Sequence, residues 1–259
     1  MEADATQPLV EGWVCVKIVV IFKWARDPQD AAVRSDGSVD WRDARMVPGD
    51  DDPAAIAVAR DLVASVGGDT VGITIGDGDA TWALARGIEQ VITVPDAPRL
   101  LDDAATAELL AAAIRWVGDV DLVVIGDCEA YPGVPAALAG VLGWPAFLGA
   151  SGAAVADGRL VATRRSEDHE DTIGLGLPAV LAVAATSAEK HPPGMKEILA
   201  ARKRPIRVVS VAELGIDPLD RLQSRGTRVP ETGTARIFTG SPASTARELV
   251  AALRADHLL

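Results

Sequence analysis

From residue 16 onwards the chain alternates short β-branched apolar runs with helix-length amphipathic segments, and this alternation leaves few folds open to it. VKIVVIFKW (Val16 to Trp24) is apolar on both alternating faces over most of its length, as in a strand covered on both sides within a parallel sheet. After a polar excursion with a hairpin turn at Ser35-Asp36-Gly37-Ser38, Asp52-Pro53 reads as the N-cap and first residue of a helix. Its apolar stripe is Ile56, Ala59, Leu62, Val63 and Val66, and Gly67-Gly68 stops it. TVGITIG, DATWALARGI, QVITV, DDAATAELLAAAIRWV, DLVVIG and GVPAALAGVLG then continue as strand, helix, strand, helix, strand, helix. Such wiring predicts an α/β fold: an open, mostly parallel sheet with right-handed crossovers and helices on both faces.

Beyond Trp144-Pro145 the rhythm changes. ASGAAVADGRLVATRRS predicts two alternating strands turning at Ala156-Asp157-Gly158, and LGLPAVLAVAA another buried strand. A short helix, the strand-like IRVVSV and a polar connector around residues 215 to 234 follow. The chain closes with a helix opened by Ser241-Pro242, whose stripe is Ala246, Leu249, Val250 and Leu253. The expected organisation is a loose tail over residues 1–15, an α/β domain over 16–205 and a C-terminal arm over 206–259 that ends in a helix. That helix either packs on its own sheet or reaches a partner.

Composition narrows the function classes. A formal net charge of -12 argues against nucleic acid, which needs a broad basic face. Cys15 and Cys128 stand far apart with no CxxC, so no disulfide framework, zinc site or iron–sulfur site is predicted, and a reducing cytoplasm is the expected compartment. The uncharged run from Ala130 to Ala156 is long enough to span a bilayer. It is mostly Ala and Gly and is bracketed by Pro135 and Pro145, so it reads as a buried helix, a turn and a strand instead.

Ligands of an open α/β sheet bind outside the carboxyl ends of its strands, which directs attention to the loops after Trp24, Ile75 and Ile125. Gly76-Asp77-Gly78-Asp79 has a G-x-G spacing without the third glycine of a dinucleotide fingerprint, and its acids oppose a pyrophosphate. A tight turn with an N-cap is the expected structure. The loop from Gly126 to Gly133 (GDCEAYPG) reads equally as an anion cradle at a helix start and as a plain connector with capping acids. His169, His191 and His257 lie among polar neighbours and beside no nucleophile, and Cys128 reads as a small loop residue. Arg164-Arg165 suits a carboxylate or phosphate, or simply ends a strand in solvent. On these residues the chain is expected to bind rather than catalyse.

One feature runs against the overall charge. EKHPPGMKEILAARKRPIR (Glu189 to Arg207) holds six Lys or Arg against two acids. A basic segment on an acidic protein suits an acidic partner, and it equally suits a solvated face.

Several ordered segments resemble the beta subunit of electron transfer flavoproteins: KIVVIFKWARDP (Lys17 to Pro28), GVLGWP (Gly140 to Pro145), LPAVLAV (Leu177 to Val183) and AARKRPI (Ala200 to Ile206). The ending, AELGID and then RIFTGSPASTARELVAALR, resembles that family's tail. The resemblance implies a sheet like that of adenine-nucleotide-α-hydrolases, in a subunit with no catalytic residues of its own. Its alpha subunit partner holds FAD, and the heterodimer passes electrons from acyl-CoA-type or related dehydrogenases to a membrane quinone oxidoreductase. It also implies a recognition loop in which Met195 takes the place of an anchoring leucine, with Lys190, Lys196, Arg202 and Lys203 steering the acidic dehydrogenase. The alternative placement tucks Met195 inside a solvated helix.

Carried over residue by residue, an AMP site would involve Ile21, Asp51, Ile75, Gly76, Asp127, Cys128, Glu129, Gly133 and Val134. The chain departs from the family there, with Gly49-Asp50-Asp51-Asp52-Pro53 before the helix and a short, acidic DCEAYPGVP loop, and AMP binding is expected to be weak or lost. Arg165 stands where the family has an acid that contacts the alpha subunit, so a compensating acid is expected on the partner. Two further readings are a stand-alone adenine-nucleotide-binding protein of related topology and a scaffold that no longer docks dehydrogenases.

Overall fold

The computed structural model describes residues 15–76, 78–98, 101–127, 131–156, 159–166, 168–185, 192–217, 225–230 and 235–259. In chain order the strands are β1 (Val16–Ile21), β2 (Trp24–Arg26), β3 (Ala32–Val33), β4 (Val39–Asp40), β5 (Met46–Pro48), β6 (Gly68–Ile75), β7 (Gln90–Val94) and β8 (Leu122–Gly126). They continue with β9 (Ala146–Ala150), β10 (Gly152–Ala156), β11 (Arg159–Arg165), β12 (Glu170–Leu175), β13 (Ala179–Val183) and β14 (Ile206–Val208). The α-helices are α1 (Asp52–Val66), α2 (Ala80–Ala85), α3 (Asp103–Val117), α4 (Val134–Leu142), α5 (Met195–Ala201) and α6 (Pro242–Ala255).

Seven strands form one sheet in the order β14-β7-β6-β1-β8-β13-β9, and every neighbouring pair in it is parallel. β1 lies at the centre with side chains packed both ways. Val16, Ile18 and Val20 meet Ala55, Ile56, Ala59 and Leu62 of α1, while Val19 and Ile21 meet Leu110, Ala111 and Ile114 of α3. Each fully buried branched side chain contributes about 1.5–3 kcal/mol of transfer free energy. The expected α/β fold with helices on both faces is therefore the observed one. Its last strand, β14, runs through Val208, past the boundary drawn at residue 205.

The alternating segment after β9 forms a separate antiparallel sheet in the order β10-β11-β12. Sequence reading missed β12, and a physical reason is visible in its burial: EDTIGL has no buried residue, so no period-2 apolar face announces it. Its pairing with β11 carries two cross-strand ion pairs, Arg164 to Asp171 at 2.9 Å and Arg165 to Glu170 at 2.8 Å. Within the uncharged run, α4 has nine residues and gives way to β9. No helix among the described residues is long and apolar enough to cross a membrane.

By its internal contacts the chain divides into Met1–Ala31 with Trp41–Arg225, and Ala32–Asp40 with Gly226–Leu259. In the second unit β3 and β4 pair as the hairpin expected around Gly37, and Asp36 Oδ1 accepts from Ser38 N at 2.9 Å. Gly37 has φ +83, and a Cβ there would lie 2.6 Å from Val229 N. Thr227 Oγ1 donates to Gly37 O nearby. Ser241 caps α6 by accepting from Ser244 N, as its sequence predicts, and the helix keeps Leu249 and Val250 exposed.

Candidate functional site

From β1 the chain moves to β6 and β7 on one side of the sheet and returns to β8, β13 and β9 on the other. The topological switch, and with it the ligand crevice of such a sheet, lies at the carboxyl ends of β1 and β8. Ile21 ends β1 and points into the α3 side of the core, and Ile125 does the same on β8. Gly126 closes β8, and the N-terminus of α1 comes so near that a Cβ on Gly126 would lie 2.9 Å from Asp52 Oδ1 and 3.1 Å from Asp51 Cβ. The two acids fill the space between the strand end and the helix.

Asp52 is not the N-cap that Asp52-Pro53 suggests. It is the first residue of α1, with Asp51 at the cap position and Pro53 behind it. The reason is tertiary: Asp52 Oδ2 accepts from Lys23 N at 2.7 Å, just past β1, and from Gly49 N at 2.9 Å. The carboxyl is 4% exposed, and burial, set against these two hydrogen bonds and the Lys23 charge, pushes its pKa up to about 7. Asp51 Oδ1 reaches the other way and accepts from Ala185 N at 2.7 Å, beyond β13.

On the far side of the crevice, Gly133 is the cap residue of α4 and Val134 its buried first residue. Gly133 N donates to Asp103 Oδ2 at 3.1 Å, so the helix start is already bound to a carboxylate of α3. Lys23 Nζ stands 3.7 Å from the centroid of the Tyr131 ring. Asp127 N donates to Val183 O at 2.8 Å. Ile75 ends β6 and Gly76 follows it; Gly76 has φ +76 and its N–H donates to Val94 O, and Asp79 caps α2 by accepting from Thr81 N at 2.8 Å. That is the expected capped turn in place of a dinucleotide loop. Cys128 and Glu129, expected at this site, and Asp77 in the capped loop lie outside the described residues.

The crevice thus brings together Ile21, Asp51, Asp127, Gly133 and Val134. Asp52 and Asp103, the carboxylates that hold it, were not singled out as binding residues. Asp103 follows the capping residue Asp102 and looks in sequence like an ordinary acid of a first helical turn; only the 30-residue reach to Gly133 reveals its role.

The second candidate region is α5. Met195, its first residue, is 71% exposed and Leu199 is 52% exposed. The placement that tucks Met195 inside does not hold. Lys196, Arg202 and Lys203 are exposed on the same segment, while Lys190 lies outside the described residues. The rest of the basic run is otherwise engaged. Arg204 Nη1 donates to Ile88 O at 2.7 Å, and the Arg207 guanidinium stacks 4.2 Å from the Trp116 ring centroid. Arg165, the expected contact to a partner subunit, is held by Glu170 of its own chain through Nε at 3.2 Å and Nη2 at 2.8 Å.

Residues 43–214 match the family model of the electron transfer flavoprotein domain. The chain belongs to that family. The matched span runs from just before β5 to just past β14 and contains α1, the ends of β6 and β8, and the exposed helix α5, while β1 with Ile21 and Lys23 precedes it. Electron transfer flavoprotein domains are flavin-associated, which places the chain in redox biochemistry and gives the exposed α5 a context.

Proposed function

We propose that the chain is the beta-type subunit of a heterodimeric electron transfer flavoprotein. Its alpha subunit holds the FAD, and the pair takes electrons from acyl-CoA-type or related dehydrogenases and hands them towards a membrane quinone oxidoreductase. In this reading the chain supplies no catalytic side chain. It shapes the carrier, and α5 docks the electron donor. The observation that carries the proposal is the surface of α5, where Met195 and Leu199 stand exposed beside Lys196, Arg202 and Lys203 in a protein of net charge -12. Two exposed apolar side chains on one short helix suit a partner's apolar pocket, and the cations raise the encounter rate with an acidic partner.

One other feature supports the reading. The terminal unit keeps Ile237 81% exposed along with Leu249 and Val250, the kind of surface a subunit covers. A stand-alone adenine-nucleotide binder is less well supported, because the carboxylates of the crevice oppose a phosphate.

Met195→Ala tests the docking role. Loss of a buried anchor is worth about 2 kcal/mol, or roughly 30-fold. The variant complex is expected to keep its flavin content and lose roughly that factor in dehydrogenase kcat/KM, while wild-type turnover falls as salt screens the cations. Unchanged turnover in the variant, with the flavin retained, would assign α5 to a solvated face and favour the scaffold reading.

A further inference from the structure

We infer that the switch-point crevice is liganded by the chain itself: three carboxylates take the backbone donors with which such a crevice would hold a phosphate, so the site refuses AMP and other phosphoanions. Asp103 occupies Gly133 N at the start of α4, Asp51 occupies Ala185 N beyond β13, and Asp52 occupies Lys23 N beyond β1 together with Gly49 N. An anion binds at a helix N-terminus because free N–H groups point at it and the helix dipole favours its charge. Here Gly133 N, the donor of the α4 cap residue, already has a charged acceptor.

Space agrees with charge. A Cβ added to Gly126 would press on Asp52 Oδ1 and Asp51 Cβ, and one added to Gly133 would collide with Asp103 Oδ2. Where a phosphate would need to approach the backbone, the chain's own side chains already touch it. The cation beside this cluster, Lys23, has its ammonium over the Tyr131 ring and its backbone N–H on Asp52. A phosphate entering would meet carboxylates of like charge.

The same bonds have a constructive role. They tie α3 to α4, α1 to the end of β13, and α1 to the end of β1, which are the joints that a bound anion would otherwise bridge. The crevice is consequently preformed without nucleotide. This holds whether or not α5 docks a dehydrogenase, since it concerns only the residues around β1 and β8.

The test is titration calorimetry on the full chain, purified with any subunit that accompanies it and dialysed free of nucleotide. AMP, inorganic phosphate and adenosine serve as separate probes at pH 8. Wild type is expected to bind AMP and phosphate no more tightly than about 1 mM. Asp103→Ala, which frees Gly133 N and removes one charge, is expected to bind both at least about tenfold more tightly while adenosine binding is unchanged. If that variant does not fold, Asp103→Asn keeps an acceptor, removes the charge and is expected to gain at least about threefold. Micromolar AMP binding to wild type would overturn the inference. So would folded variants with no gain, or a gain seen equally with adenosine. A dehydrogenase assay on the same samples reads the docking role separately.

Discussion

Asp52→Leu is expected to cost about 2–4 kcal/mol of unfolding free energy at pH 5, whereas Asp52→Asn costs less than about 1 kcal/mol. The leucine removes the acceptor of both Lys23 N and Gly49 N and leaves two donors unpaired in a site that is 4% exposed. Asparagine presents its carbonyl to the same two groups. The pH dependence separates the pair further. Because burial raises the folded pKa of Asp52 to about 7, the folded chain keeps a proton between pH 4 and 7 that the unfolded chain releases. Its contribution is fully present below the unfolded pKa and is lost as pH rises through 7. The whole span is about 4 kcal/mol. Urea melts of wild type and Asp52→Asn from pH 4 to 8 should therefore converge at the acid end, separate in favour of the asparagine between pH 4 and 7, and keep a constant gap above it. Parallel curves would mean that Asp52 is ionised throughout and that hydrogen bonds outweigh burial.

Gly68→Ala is expected to be the more damaging of two neighbouring substitutions, at about 3–5 kcal/mol, with Gly67→Ala near 1 kcal/mol. Both glycines have positive φ, +79 at Gly67 and +131 at Gly68. Only Gly68 lies against backbone: a Cβ there would meet the carbonyl oxygen of Val16, with Val16 N at 2.6 Å and Val16 C at 2.8 Å. Those atoms open β1, and Val16 is the register partner of Gly68 at the start of the β1–β6 pairing. Neither strand can retreat without breaking the centre of the sheet. At Gly67 a Cβ would meet nothing within 4 Å. Denaturant midpoints of the two variants give the comparison, and equal losses would show that backbone conformation, and not the contact, sets the cost.

These two sites also mark how far the sequence could be read. The sheet was legible because Val16 to Ile21, Gln90 to Val94 and Leu122 to Gly126 carry runs of apolar side chains that only a doubly covered strand buries, with helix stripes and capping residues between them. Gly67-Gly68 was legible as a helix stop, but not as a close approach to β1, since that contact spans 52 residues. β12 was missed because ion pairs and backbone bonds hold it without any buried side chain.

The crevice was legible in its position and its acidity, through the rule that ligands gather at strand ends and through the Asp-rich loops. Its wiring was not. Asp52 and Asp103 look like helix-start residues, for which local capping is the default expectation, and their partners Lys23 and Gly133 lie 29 and 30 residues away. In the basic run, six cations in a row of nineteen residues look alike in sequence. All of the described ones are exposed, and only their partners set apart Arg204, which donates to Ile88 O, and Arg207, which stacks on the Trp116 ring, from Lys196, Arg202 and Lys203.

The central claim is that this chain works as the beta-type half of an electron carrier. Its most direct test is co-expression with an electron transfer flavoprotein alpha subunit of the same genome, followed by the visible spectrum of the purified complex before and after adding a reduced dehydrogenase. The account predicts a yellow heterodimer with one FAD that bleaches on reduction. A colourless chain that stays apart from the alpha subunit, or a yellow complex that no dehydrogenase reduces, would contradict it.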